Sequence, residues 1–146
     1  MGYTEATNRI FNLVNYVPTE AQAVIHVDES RNKEVAGGER AGKSVTNEKE
    51  LLKHWYIDVP ALPKGYKALY WLLGDDYAAC KGEWDYAVED FTKLEVLARP
   101  PTKNIDPGEI VLQDGTRIIT KSARYPEKIA TEAPDGILIY ETSLRD

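Results

Sequence analysis

The sequence predicts an α/β fold with a mainly parallel sheet, and three observations predict it. Residues 68–73 form a continuous apolar run that ends at Gly74, the pattern of a central parallel strand buried on both faces. A glycine-rich loop at residues 37–42 lies between a predicted strand end at residues 34–36 and a predicted helix at residues 43–55. Beyond Gly74, Tyr77, Cys80, Trp84, Val88, Phe91, Leu94 and Leu97 recur at intervals of three or four, which marks one long amphipathic helix.

The remaining elements follow in chain order. Ile10, Phe11, Leu13 and Val14 predict a short helix over residues 5–14, closed before Pro18 because proline disfavours helix at its predecessor. Thr19 and Gln22 have the spacing of a capping box, and Ala21, Ala23, Val24 and Val27 continue a second helix to about residue 28. A polar turn at residues 30–33 comes next, and the helix at residues 43–55 turns Val45, Leu51, Leu52 and Trp55 inward. Pro60, Pro63 and Gly65 mark the loop ahead of the central strand, while Pro100 and Pro101 are expected to stop the long helix, which tolerates Gly82. Asp114-Gly115 supplies the positive backbone angles of a hairpin between strands at residues 110–112 and 117–120, expected as an appendage to the sheet. Pro134-Asp135-Gly136 then turns the chain into a last strand at residues 137–140, which ends on Glu141.

Composition narrows the function classes. The chain has 146 residues, 42% of them apolar, enough for one domain with a sizeable core rather than a disordered segment. No apolar run approaches the roughly 20 residues that span a bilayer, and the N-terminus is polar rather than signal-like, so neither a membrane protein nor a secreted one is expected. A single cysteine, Cys80, forms no internal disulfide, and His26 and His54 alone make no zinc cluster. A net charge of -6 argues against coating nucleic acid through bulk electrostatics.

One motif carries chemistry. Gly37-Gly38-Glu39-Arg40-Ala41-Gly42-Lys43-Ser44 fits G-x-x-x-x-G-K-[ST], the phosphate-binding P-loop, in the strand–loop–helix setting that the motif requires. The class thereby becomes a three-layer P-loop NTPase-like fold with a mainly parallel sheet plus a β-hairpin, and the expected ligands are ATP and Mg²⁺. The glycines let main-chain N–H groups point at the phosphates, and the opening helix adds the positive end of its dipole. The segment from Gly37 through Val45 is the candidate nucleotide-binding loop, with Lys43 on the β- and γ-phosphates and Ser44 on Mg²⁺.

P-loop chemistry also needs an acidic side chain at the tip of a neighbouring strand. Glu141 follows the last strand and is the candidate carboxylate to orient the attacking water and to serve the metal. Tyr140 occupies the place of the acidic residue that usually precedes it, so Mg²⁺ is expected to lean on Ser44, phosphates and water. Asp135 lies at the wrong end of this strand and reads as a turn residue. Arg40, inside the loop, is a candidate to stabilise charge on the γ-phosphate or a solvated loop arginine. Gln22 is open to two readings, adenine contact through its two-sided amide or the capping box alone. His26, His54, Cys80 and the three tryptophans are expected to be packed.

These residues together resemble the ATPase domain of the large terminase subunit of tailed bacteriophages. The resemblance spans most of the chain: Pro18-Thr19-Glu20-Ala21-Gln22 ahead of the loop, an arginine within residues 36–44, Leu72-Leu73-Gly74-Asp75-Asp76-Tyr77 followed by Glu83-Trp84, Thr120-Lys121-Ser122-Ala123, then Pro134-Asp135-Gly136-Ile137 and Glu141. It implies an ATP-driven motor that moves double-stranded DNA through a portal into an empty capsid, with Glu141, Lys43 and Arg40 catalytic and Gln22 reading adenine. It also implies portal protein and small terminase subunit as partners, a ring homo-oligomer on the portal, no membrane, and the cytoplasm of the infected bacterial host. In that frame residues 1–146 are a single P-loop ATPase domain, with an N-terminal helical segment at 1–32 and a core at 33–146 that is incomplete at its C-terminal end. The alternatives are a nucleotide-binding module without turnover and another nucleic-acid-dependent P-loop ATPase.

Overall fold

A computed structural model describes residues 4–27, 40–129 and 133–140. Two short helices come first, α1 (Glu5–Leu13) and α2 (Glu20–Val27), followed by the long α3 (Arg40–Asp58). Thr4 caps α1, its hydroxyl accepting the Thr7 N–H at 3.1 Å. The helix closes where Asn15 adopts a φ of 59° and the Tyr16 N–H reaches back to the Phe11 carbonyl at 2.9 Å, which returns Tyr16 to the core. The predicted capping box opens α2: Gln22 N–H donates to Thr19 Oγ1 at 3.2 Å, and Thr19 N–H donates to Gln22 Oε1 at 2.8 Å.

The central parallel strand is β1 (Leu69–Gly74), joined in the sheet by β2 (Glu109–Val111), β3 (Arg117–Ser122) and β4 (Gly136–Tyr140), in the order β2-β3-β1-β4. Both neighbours of β1 run parallel to it, and Gly74 lies level with Ser122 on one side and Tyr140 on the other. The carboxyl ends of three strands therefore share one rim. At the opposite end Asp135 ties β4 to β1: its carboxylate accepts from Leu69 N–H at 2.8 Å and from the Tyr66 hydroxyl at 2.7 Å. Gly136 sits where a Cβ would lie 2.8 Å from the Tyr70 ring, so a side chain there would force the two strands apart.

Three expectations change. The hairpin around Asp114-Gly115 is not an appendage, because β3 lies between antiparallel β2 and parallel β1, and Ile118, level with Tyr70, is fully buried. The helix expected across residues 77–97 is instead a 3-10 turn over Tyr77–Cys80, capped by Asp76, and then α4 (Lys81–Lys93). Its end is set by Glu95, at a φ of 61°, with Val96 N–H bonded to the Phe91 carbonyl at 3.3 Å; Pro100 and Pro101 come too late to stop it. Third, α3 begins at Arg40 and ends at Asp58, longer at both ends than the predicted 43–55. The expected polar turn at 30–33 and strand end at 34–36 lie outside the described residues. Buried side chains of α1, α3, α4 and the Tyr70–Leu72 face of the sheet form one core.

Candidate nucleotide-binding site

Because α3 opens at Arg40, the second half of the P-loop motif is already helical, and the N–H groups of its first turn lack intrahelical acceptors. That turn presents the positive end of the helix dipole. Lys43 and Ser44 follow directly, both half-buried. Ser44 lies against the first turn of α4: a Cβ on Gly82 would sit 2.7 Å from Ser44 Oγ. Two helix N-termini thus converge at the end of the sheet where β1 finishes, since the chain turns from Gly74 through Tyr77–Cys80 straight into α4. The turn is tight enough that a Cβ on Gly74 would meet Ala79 Cβ at 2.8 Å.

Between those termini lies Glu83, 4% exposed. Its carboxylate accepts from Asn47 Nδ2 at 3.4 Å, and Ser44 stands against the same turn of α4. Burial pushes the Glu83 carboxyl above the ordinary range; its own backbone N–H, Asn47, Ser44 and the charge of Lys43 offset part of that rise. Behind the first turn, α3 buries a run of polar side chains that fasten it on several sides. Thr46 Oγ1 accepts from Gln22 Nε2 at 3.0 Å, and Glu50 meets His26 Nδ1 at 2.5 Å. Lys49 pairs with Asp90 of α4 and, at 2.9 Å, with Glu48. The helix that offers Lys43 and Ser44 is held by its neighbours through polar pairs as well as apolar contact.

The candidates from sequence distribute as follows. Lys43 and Ser44 stand at the converging termini. Arg40, Ala41 and Gly42 form the opening turn of α3, while Gly37, Gly38, Glu39 and Glu141 lie outside the described residues. Val45 packs against the hydrophobic core, so its contribution to a ligand is its backbone. Among the described residues, Gln22 spends one amide lone pair on Thr19 and one amide hydrogen on Thr46, each a single bond on an amide that can make more. Asp135 is the predicted turn residue, far from this rim. Cys80 is buried, and burial pushes its thiol up to about 12, so it is no nucleophile. His26 is packed between Tyr16 and Glu50 rather than against apolar groups alone. Sequence reasoning named Glu83 only as part of the resembling segment and gave it no role, and it missed Asn47 and Thr46. The only local signal was Gly82-Glu83 at the start of an amphipathic helix, and nothing near it in sequence points to Ser44.

Among the described residues no group of three or more His, Cys, Asp or Glu is placed to hold a metal. A hydroxyl at Ser44, with a buried carboxylate at Glu83 on the adjoining turn, is nevertheless an oxygen ligand suited to Mg²⁺, which keeps waters and phosphate oxygens as its other ligands. The site fits the ion. Among the described residues no helix is long and apolar enough to cross a membrane.

No protein-family model and no curated protein matches the sequence. Among solved structures, the large terminase ATPase domain of Thermus phage P74-26 superposes with a TM-score of 0.66 at 18% identity, covering 94% of this chain. An arginine-to-alanine variant of the same domain gives 0.65 at 19% identity over 93% of the chain. The chain spans 58% of the length of those structures. This protein therefore has the α/β, mainly parallel fold of a phage large-terminase ATPase domain.

Proposed function

We propose that the chain binds ATP with Mg²⁺ and hydrolyses it, as the ATPase domain of a viral DNA-packaging motor. The observation that supports it most is the coincidence of a P-loop pattern with the opening turns of α3, at the strand-end rim of a chain folded like a terminase ATPase domain. In this assignment the N–H groups of residues 37–44 cradle the phosphates, and Lys43 neutralises charge on the β- and γ-phosphates. Ser44 holds the metal ion, which when bound neutralises charge developing on the phosphate oxygens. Arg40 stabilises the γ-phosphate as its bond to the bridging oxygen breaks. Glu141, the residue after β4, orients water for in-line attack. Gln22 reads a base edge through its planar amide. Double-stranded DNA, a portal ring, the small terminase subunit, a ring of like subunits and the host cytoplasm complete the proposal.

Calorimetric titration with ATP and GTP, each with and without Mg²⁺, tests it. Saturable ATP binding that Lys43→Ala removes without lowering the melting temperature is expected. Phosphate release in single turnover should disappear in Glu141→Gln. Binding without release in the parent chain would favour the second reading, a nucleotide-binding module, which Tyr140 at the usual acidic position makes specific.

A further inference from the structure

Where a P-loop serine holds a divalent cation, its oxygen must turn a lone pair to the metal and its hydroxyl hydrogen must go elsewhere. The residue that usually shares this task is an acidic group at the end of a core strand, and here that place is Tyr140. The fold brings a different carboxylate to Ser44. Glu83 comes from the first turn of α4, 39 positions later in sequence. It is almost fully buried, follows directly on Gly82, whose Cβ position lies 2.7 Å from Ser44 Oγ, and is steadied by Asn47 one turn along α3. Gly82 leaves Ser44 Oγ its present position, because with a Cβ there the hydroxyl would have to turn away.

A bond that only fastened α3 to α4 would be redundant, since Lys49 and Asp90 already pair between the same two helices. Glu83 is a third buried carboxylate at this interface, after Glu48 and Asp90, and unlike them it has no ammonium in ion-pair contact among the described residues to offset its desolvation cost. We propose that Glu83 is the positioning residue for Ser44: it accepts the hydroxyl hydrogen, fixes the rotamer, and leaves the oxygen lone pair facing the cation that accompanies the nucleotide. It acts through Ser44 and supplies at the helix what Tyr140 cannot supply at the strand. This rests on residues 37–44 being the nucleotide site.

The test is the ratio of ATP dissociation constants without and with Mg²⁺, measured by calorimetry on the full chain. Parent protein should show a clear gain from Mg²⁺. Glu83→Gln, folded by circular dichroism, should lose that gain by about tenfold, the scale on which outer-shell partners act on a metal site. Ser44→Ala should lose it too, and the double variant should lose no more than Ser44→Ala alone. An unchanged ratio in Glu83→Gln, or additive losses in the double variant, would overturn the proposal. Should Glu83→Gln not fold, the parent chain crystallised with ATP and Mn²⁺ decides. Ser44 Oγ on the metal and within hydrogen-bond reach of Glu83 supports the assignment, and Glu83 turned away from Ser44 refutes it. A parent protein that binds no ATP at all refutes the nucleotide site itself, a distinct result.

Discussion

At the scale of single residues, Gly82 separates geometry from charge. Alanine there would gain about 1 kcal/mol of helix propensity. It would also place its Cβ 2.7 Å from Ser44 Oγ, at the end of a short side chain that can rotate away. The two effects act on different observables. If Ser44 holds the cation as proposed, Gly82→Ala is expected to change urea stability by less than about 1 kcal/mol while weakening Mg²⁺-dependent ATP binding, because the added methyl displaces the hydroxyl. A variant with full Mg²⁺ dependence would mean that Ser44 has room the geometry denies it. Such pairings explain what local sequence could and could not disclose. The Thr19–Gln22 capping box was readable because its partners are three residues apart, as was the helix that carries Lys43 and Ser44. Glu83 was not, because its meaning comes from a serine on another helix.

At the scale of elements, α3 is unusual in burying charge along much of its length. Glu48 is fully buried with Lys49 and Asp90 around it, two carboxylates for one ammonium. Burial raises the Glu48 carboxyl well above its ordinary 4.5, against the pull of Lys49 and with the push of Asp90. Burial would lower Lys49, yet the two carboxylates outweigh it and keep the amine charged. Folded protein thus holds the Glu48 proton more tightly than unfolded chain. This group's contribution is most favourable below pH 4.5 and declines as pH rises toward the raised folded value, then levels off. Glu48→Gln removes that slope and leaves Lys49 paired with Asp90. Urea unfolding should find the variant gaining stability relative to the parent between pH 5 and pH 8. A variant weaker at pH 8 than at pH 5, relative to the parent, would contradict this account.

Helix and strand existence was legible where periodicity was strong, as in β1 with its unbroken apolar run and α4 with its three-and-four spacing. Element ends were less so. Glu95 and Asn15 are ordinary residues that adopt left-handed backbone angles to close their helices, and no glycine advertises either stop. The role of β3 was hidden for another reason. A parallel pair is joined through distant segments, so Ile118 carries no local mark of lying beside Tyr70.

At the scale of the whole molecule, one end of the sheet ties neighbouring strands together and the other carries the proposed site. Asp135 takes part in the first of these, accepting from Leu69 N–H and the Tyr66 hydroxyl at the amino ends of β4 and β1. Asp135→Ala leaves the Leu69 N–H without that acceptor and should cost about 1–3 kcal/mol in urea unfolding. Single-turnover phosphate release should slow as well, and Asp135→Asn, which keeps one carbonyl acceptor, should recover most of both. Full activity in a destabilised Asp135→Ala would separate strand anchoring from the site.

The reach of that anchor follows from what an extended chain is. Five residues of β4 rise about 17 Å, and a strand cannot absorb a slip along its length the way a loop can. An error of one position at Asp135 would arrive undiminished at residue 140, where β4 lies level with Gly74 of β1. Fidelity at the quiet end of the sheet is thus the gauge by which the far rim is kept even.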